Sequence, residues 1–235
     1  MSIRSVVAGV ACATLIAVTA VFAGPPANAG VPDRLSCSLP ESNAEALAIL
    51  SNYGPGYWWD HTHLTIAVQA APQAAPDQVQ AVHNAIATWD AVLSDCFDGL
   101  ITLTDVTGTR ASAEKAADIV VHLVPTAGGV VFVGSAKCGD HGCPNVLVRN
   151  IWPPSLGYVN EAWFTEWVAL HEIGHALGIG HATNLLESSD LMGYSWLVEG
   201  EPVLSQCDVD AIAFVFAWAI EGSQPRPPRA GPFVC

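Results

Sequence analysis

The chain of 235 residues reads as an α+β fold. Short β-rich segments, some of them alternating, stand at 63–68, 100–104, 117–123 and 145–149. Longer stretches at 76–93, 160–177 and 205–220 repeat apolar residues at helical spacing. The middle helical stretch also holds a cluster of histidines, which sets it apart from a purely structural helix.

The first 29 residues read as a secretory signal. Arg4 supplies a short basic start, an apolar run follows from Val6 to Phe22, and Ala27-Asn28-Ala29 is a small-x-small cleavage site. Cleavage after Ala23 is the alternative, and an uncleaved membrane anchor is a second one, because the run is nearly long enough to span. Residues 30–55 read as a lead-in rich in Gly, Pro and Ser, with a short helix near Glu41–Ser51. Residues 56–222 then suffice for one domain with a full core, and 223–235 form a Pro-rich tail.

Within that domain, His63-Leu64-Thr65-Ile66-Ala67-Val68 alternates and is expected as the first strand. Pro76-Asp77 opens a helix running to about Leu93, with Val79, Val82, Ile86, Trp89 and Val92 as its apolar stripe. His83 lies on this helix without a second candidate ligand one turn away, so it is expected as a solvated or packed imidazole. Strands follow at Leu100–Thr104 and Ala117–Leu123. The glycine-rich segment Gly128 to Gly134 is either a further short strand or a bulging loop. Asn145-Val146-Leu147-Val148-Arg149 is expected as the edge strand before the next helix. Asn160 is expected to cap that helix, and Trp163, Trp167 and Leu170 to bury its back face.

The chemistry sits in His171-Glu172-Ile173-Gly174-His175-Ala176-Leu177-Gly178-Ile179-Gly180-His181. His171 and His175 are four apart and so share one helical face. Two imidazoles there can converge on one cation at about 2.0–2.1 Å each. Glu172 is placed beside such a metal but not on it, where it can take a proton from water. His181 suits no face of a continuing helix. Gly178 can take positive φ, end the helix and let the chain turn His181 back. Three neutral imidazoles make a catalytic type of zinc site with one position open.

Downstream, Met192 stands in Ser189-Asp190-Leu191-Met192-Gly193-Tyr194, and on its own would read as a core gap-filler. Ser205 is a good N-cap for the last helix, with Asp208 supporting its first turn. Val209, Ile212, Ala213 and Phe216 form its packing stripe. The prolines of the tail at 225, 227 and 228 cannot continue it.

Composition bounds the partners. Twenty-two acidic against eight basic residues give a formal net charge of −14, which argues against nucleic acid or an anionic membrane. Calcium is compatible with such a surface, though no Asp-rich loop can be assigned to it. Of seven cysteines, Cys12 leaves with the signal, and an even set in an exported chain suggests disulfides. Proximity pairs Cys138 with Cys143, Cys207 with Cys235, and Cys37 with Cys96. A metal site of Cys138, His141 and Cys143 is the competing reading.

The string from His171 to His181 resembles the metzincin metalloproteases. The resemblance makes Met192 the methionine of the turn beneath the metal. Leu204-Ser205-Gln206-Cys207-Asp208-Val209-Asp210-Ala211-Ile212 is similar to the matrixin C-terminal helix, and Ala117-Asp118-Ile119-Val120-Val121 to the matrixin third strand. Gly30-Val31-Pro32-Asp33 is similar to the end of the matrixin cysteine switch, but Ala29 stands where the cysteine would be, so no switch is inferred. A tyrosine two after the methionine is an astacin and serralysin mark. Tyr194 is therefore either a transition-state donor or a core tyrosine with a bonded hydroxyl. By the same resemblance Trp196 and Leu197, with Tyr194, line a substrate pocket.

The resemblance implies a zincin-like catalytic domain: a twisted mixed sheet, an active-site helix beneath it, and a smaller C-terminal helical subdomain carrying the Met-turn. It implies a zinc endopeptidase acting on protein or peptide; with the signal segment, the chain is expected to be secreted, monomeric and without a membrane partner after signal cleavage. The substrate is expected to add as a strand to an exposed sheet edge, supplied by 145–149 or the loop before it. A zinc hydrolase of non-protein amides, or a binding protein with a vestigial site, are the alternatives. Glu172 counts against the last.

Overall fold

The structure is a computed structural model. It describes residues 37, 39, 47–49, 58–125, 134–137, 142, 144–149, 161–182, 190–193, 204–228 and 232–234. The expected signal lies outside them, and no helix among the described residues is long and apolar enough to cross a membrane.

In chain order the elements are β1 (Leu47–Ile49), β2 (His63–Ala70), α1 (Pro76–Cys96), β3 (Thr102–Asp105), α2 (Ala111–Lys115), β4 (Ile119–Val124), β5 (Gly134–Lys137), β6 (Asn145–Arg149), α3 (Ala162–Leu177), α4 (Gln206–Val215), α5 (Ala217–Ile220) and β7 (Pro232–Val234). This is the expected α+β class. Five strands form one mixed sheet in the order β3-β2-β4-β6-β5. The first four run parallel, and β5 joins β6 antiparallel.

Burial follows the pleat. In β4, Ile119, Val121 and Leu123 are fully buried while the residues between them are half-buried, and β6 repeats this with Val146 and Val148. Helices α1 and α3 pack on each other and both on the sheet. Ala81, Val82, Ile86, Trp89 and Leu93 turn the buried face of α1 to the core, while Val79 and Val92 are only partly covered. Pro76 starts α1 without needing an N–H, and Gln78 Oε1 accepts from the Ala75 N–H at 3.1 Å. His83 Nδ1 meets Asp105 Oδ2 at 2.6 Å, tying α1 to the edge strand β3. Cys37 and Cys96 are joined by a disulfide, and Cys207 is disulfide-bonded as well. Cys138, His141, Cys143 and Cys235 lie outside the described residues.

Four expectations are corrected. Residues 145–149 are not an edge: β6 is paired on both sides, and among the described residues the edges are β3 and the antiparallel β5. A five-residue segment with an apolar centre reads the same in either place, so only the pairing decides. Within Glu41–Ser51, residues 47–49 form a strand and not a helix, since they pair antiparallel with the tail as Leu47↔Val234, Ala48↔Phe233 and Ile49↔Pro232. An isolated short helix is marginal, whereas pairing satisfies the backbone of both segments. Helix α3 takes Glu161, not Asn160, as its N-cap residue, in extended conformation and without a side-chain cap. Trp163 does not cover the back of α3. It is 56% exposed, and its indole N–H donates to Glu161.

Candidate metal centre

Helix α3 is buried over most of its surface, and its last two turns carry His171, Glu172 and His175. Gly178 ends it in the left-handed conformation at φ 113°, with its N–H returning to the Gly174 and His175 carbonyls. His171, His175 and His181 then converge, their candidate ligand atoms all lying within 4.8 Å of one another.

The backbone decides which nitrogens face inward. His171 Nδ1 lies 2.8 Å from the Leu191 carbonyl, and His175 Nδ1 lies 2.9 Å from the Ile179 carbonyl. A carbonyl only accepts, so each Nδ1 carries the proton and each Nε2 presents a lone pair. His175 Nε2 and His181 Nε2 stand 3.1 Å apart. Two nitrogens on one tetrahedral zinc would be separated by about 3.3 Å, so this spacing fits a shared ion.

Protonation agrees with that fit. Burial brings His171 down to about 4 and holds His175 well below its ordinary value, and His181 is lowered by burial too. All three are neutral at neutral pH, as metal ligands must be. Beside them, burial pushes the Glu172 carboxyl up to about 8, and its buried Oε2 has no hydrogen-bond partner among the described residues. An orphaned carboxyl oxygen next to three converging lone pairs fits a site completed by a cation and its water. A dication there would pull the Glu172 value back down. The residues present therefore suit zinc.

Other elements hold the cluster in place. Met192 lies beneath α3: a Cβ on Gly174 would sit 2.6 Å from its Sδ. The Met192 carbonyl accepts from the Ala182 N–H at 2.9 Å, next to His181. Asp208 of α4 is fully buried and reaches the same segment. Its Oδ2 accepts from the Leu191 N–H at 3.2 Å, from the Ser205 N–H at 2.9 Å and from the Ser205 hydroxyl at 3.1 Å. Leu191 thus links Asp208, through its N–H, to His171, through its carbonyl. Two indoles grip α3 on either side of the histidines. Trp89 Nε1 donates to the Leu170 carbonyl at 2.9 Å, and Trp59 Nε1 to the Ala176 carbonyl at 2.8 Å.

Sequence reasoning treated Trp89 as packing alone, Asp208 as helix-capping alone, and gave Trp59 no role. The signal available for all three was a polar handle on a residue destined for the core. Tyr194, Trp196 and Leu197 lie outside the described residues.

In its site the chain resembles the metzincin zinc metalloproteases. In sequence it is homologous to the matrixin branch of that class. Interstitial collagenase of Oryctolagus cuniculus is 28% identical over 198 residues, covering 75% of this chain and 36% of that protein. Interstitial collagenase of Equus caballus is 27% identical over 228 residues, covering 88% of this chain and 40% of that protein. The chain spans well under half the length of the curated relatives it matches. No protein-family model matches it. Among solved structures, high choriolytic enzyme 1, a hatching enzyme zinc-protease from Oryzias latipes, aligns over 57% of this chain and 54% of its own. That alignment has 15% identity and a TM-score of 0.32, too loose to carry an argument.

Proposed function

We propose that the chain is a secreted zinc-dependent endopeptidase whose catalytic domain spans 56–222. The observation that carries this is the convergence of three neutral imidazoles beside a buried carboxyl whose Oε2 has no hydrogen-bond partner among the described residues. Zinc held by His171, His175 and His181 would polarise the scissile carbonyl and lower the pKa of water to about 7. Glu172 takes the proton from the attacking water on its carboxylate and later delivers it to the leaving amine. Met192 serves as the turn beneath the metal, and Gly178 ends the helix so that His181 can return. Tyr194 is the candidate donor to the developing oxyanion, and Trp196 and Leu197 the candidate pocket residues.

A protein or peptide substrate pairs as an added strand with β5, which among the described residues is the edge strand of the sheet beside α3. This moves the substrate edge from 145–149 to 134–137. Homology to collagenases supports peptide bonds over other amides.

The test is cleavage of unfolded casein by the purified chain with and without a chelator. Cleavage should vanish with the chelator and return with zinc. Glu172→Ala should retain zinc yet lose at least 100-fold in kcat, whereas His181→Ala should weaken zinc binding itself. Chelator-resistant cleavage, or a Glu172→Ala variant near wild-type turnover, would refute the proposal.

A further inference from the structure

Glycine at the start of β5 has no backbone reason to be there. Gly134 is regularly paired with Val148, and its φ lies outside the left-handed region that favours glycine. What it meets is Glu172. A Cβ on Gly134 would stand 2.5 Å from Glu172 Oε1, 2.6 Å from Cγ and 2.8 Å from Cδ, all far inside contact distance. The three nearest atoms all belong to Glu172, so a side chain at 134 would collide first with that side chain and its carboxyl.

We infer that Gly134 is a positioning residue, kept bare so that the edge strand forms one wall of the seat that aims the Glu172 carboxylate. This rests on the reading of Glu172 given above. It adds that β5 does two jobs. Its outer edge registers the peptide, and its first residue fixes the proton acceptor, so the scissile bond and the base share one rigid reference. Glu172 is a flexible side chain and β5 is held by β6. Under a clash the carboxyl swings and the strand stays. The substitution Gly134→Ala therefore moves the base while sparing the fold and the histidines.

The experiment uses the full chain and reads the carboxyl directly. The Glu172 ¹³Cδ resonance, identified by its loss in Glu172→Gln, should shift in Gly134→Ala both with and without zinc. In the zinc-loaded chain, kcat should fall about 10- to 100-fold, part of what a general base contributes. KM should change less than about twofold, and zinc stoichiometry should stay at one. Glu172→Asp retracts the carboxyl by one methylene, so any loss of Tm caused by Gly134→Ala should disappear in the Gly134→Ala/Glu172→Asp pair. That pair decides the matter should the single variant fold poorly. An unmoved resonance, or an equal Tm loss in both backgrounds, would overturn the inference. Should Glu172→Ala itself remain active, the function fails, but the seat is still judged by the resonance and the paired Tm.

Discussion

At the scale of single residues, the site depends on places where an atom is missing. Gly174 stands between His171 and His175, and its absent Cβ makes room for Met192 Sδ at 2.6 Å, with the Trp89 ring at 3.4 Å. Replacing glycine by alanine inside a helix gains about 1 kcal/mol. Overpacking a closed core costs about 1–3 kcal/mol. With Met192 and Trp89 both buried, the second effect should win. Gly174→Ala is expected to lose about 1 kcal/mol in denaturant unfolding of the metal-free chain. A gain of that size would mean Met192 yields freely and does not brace the helix. The histidines and Glu172 were legible because their relation is local: four residues apart is one helical face. Gly134 was not. It meets Glu172 across 38 positions of chain, and nothing in its neighbours records that contact.

At the scale of elements, long periodic segments declared themselves and short ones did not. Helix α1 announced its stripe, and α4 announced its Ser205 cap. Strand β6 gave its type but not its place, because a pentapeptide with three apolar residues at its centre looks alike at an edge and inside. The three-residue strands β1 and β7 carry too little pattern to be seen at all. What fixes α3 against the rest is likewise nonlocal. Trp59, just ahead of β2, donates its indole N–H to the Ala176 carbonyl in the last turn of α3. Its ring fills the space left by Gly142, where a Cβ would lie 2.4 Å away. Trp59→Phe keeps an aromatic ring but removes the donor, together with the second ring of the indole. Leaving a buried carbonyl unpaired costs about 1–3 kcal/mol. The last turn of α3, from Gly174 to Gly178, should then exchange its amide hydrogens faster than the first turn does. Zinc should also dissociate faster, since His175 and the approach to His181 both hang on that turn. Uniform exchange along α3 in the variant would show that the indole only fills space.

At the scale of the whole molecule, the lead-in and the tail are brought together. Strands β1 and β7 pair, and α4 contacts β1, so the lead-in and the tail close over the same region. The Cys37–Cys96 disulfide anchors the lead-in to the end of α1 across a sequence separation of 59. Replacing both cysteines by serine should cost about 2–4 kcal/mol, read as a lower denaturant midpoint with the fold retained. A second global term comes from Asp208, which joins α4 to the segment under the metal. Burial is the main cause that pushes its carboxyl up, to about 7, helped by the nearby charge of Asp190 and opposed by its bonds to Ser205 and Leu191. The native state thus keeps a proton that the unfolded chain gives up near its ordinary 3.8. Stability from this group is complete below pH 4 and is lost as pH rises through about 7. Asp208→Asn cannot titrate and retains a carbonyl oxygen to accept from Leu191 and Ser205. The unfolding free energies of the two chains, measured metal-free, should lie close at pH 4. The variant should then gain on the wild type by up to a few kcal/mol by pH 8. A difference that stays constant across that range would mean that the three donors on Oδ2 outweigh burial, and that Asp208 holds the site as an anion.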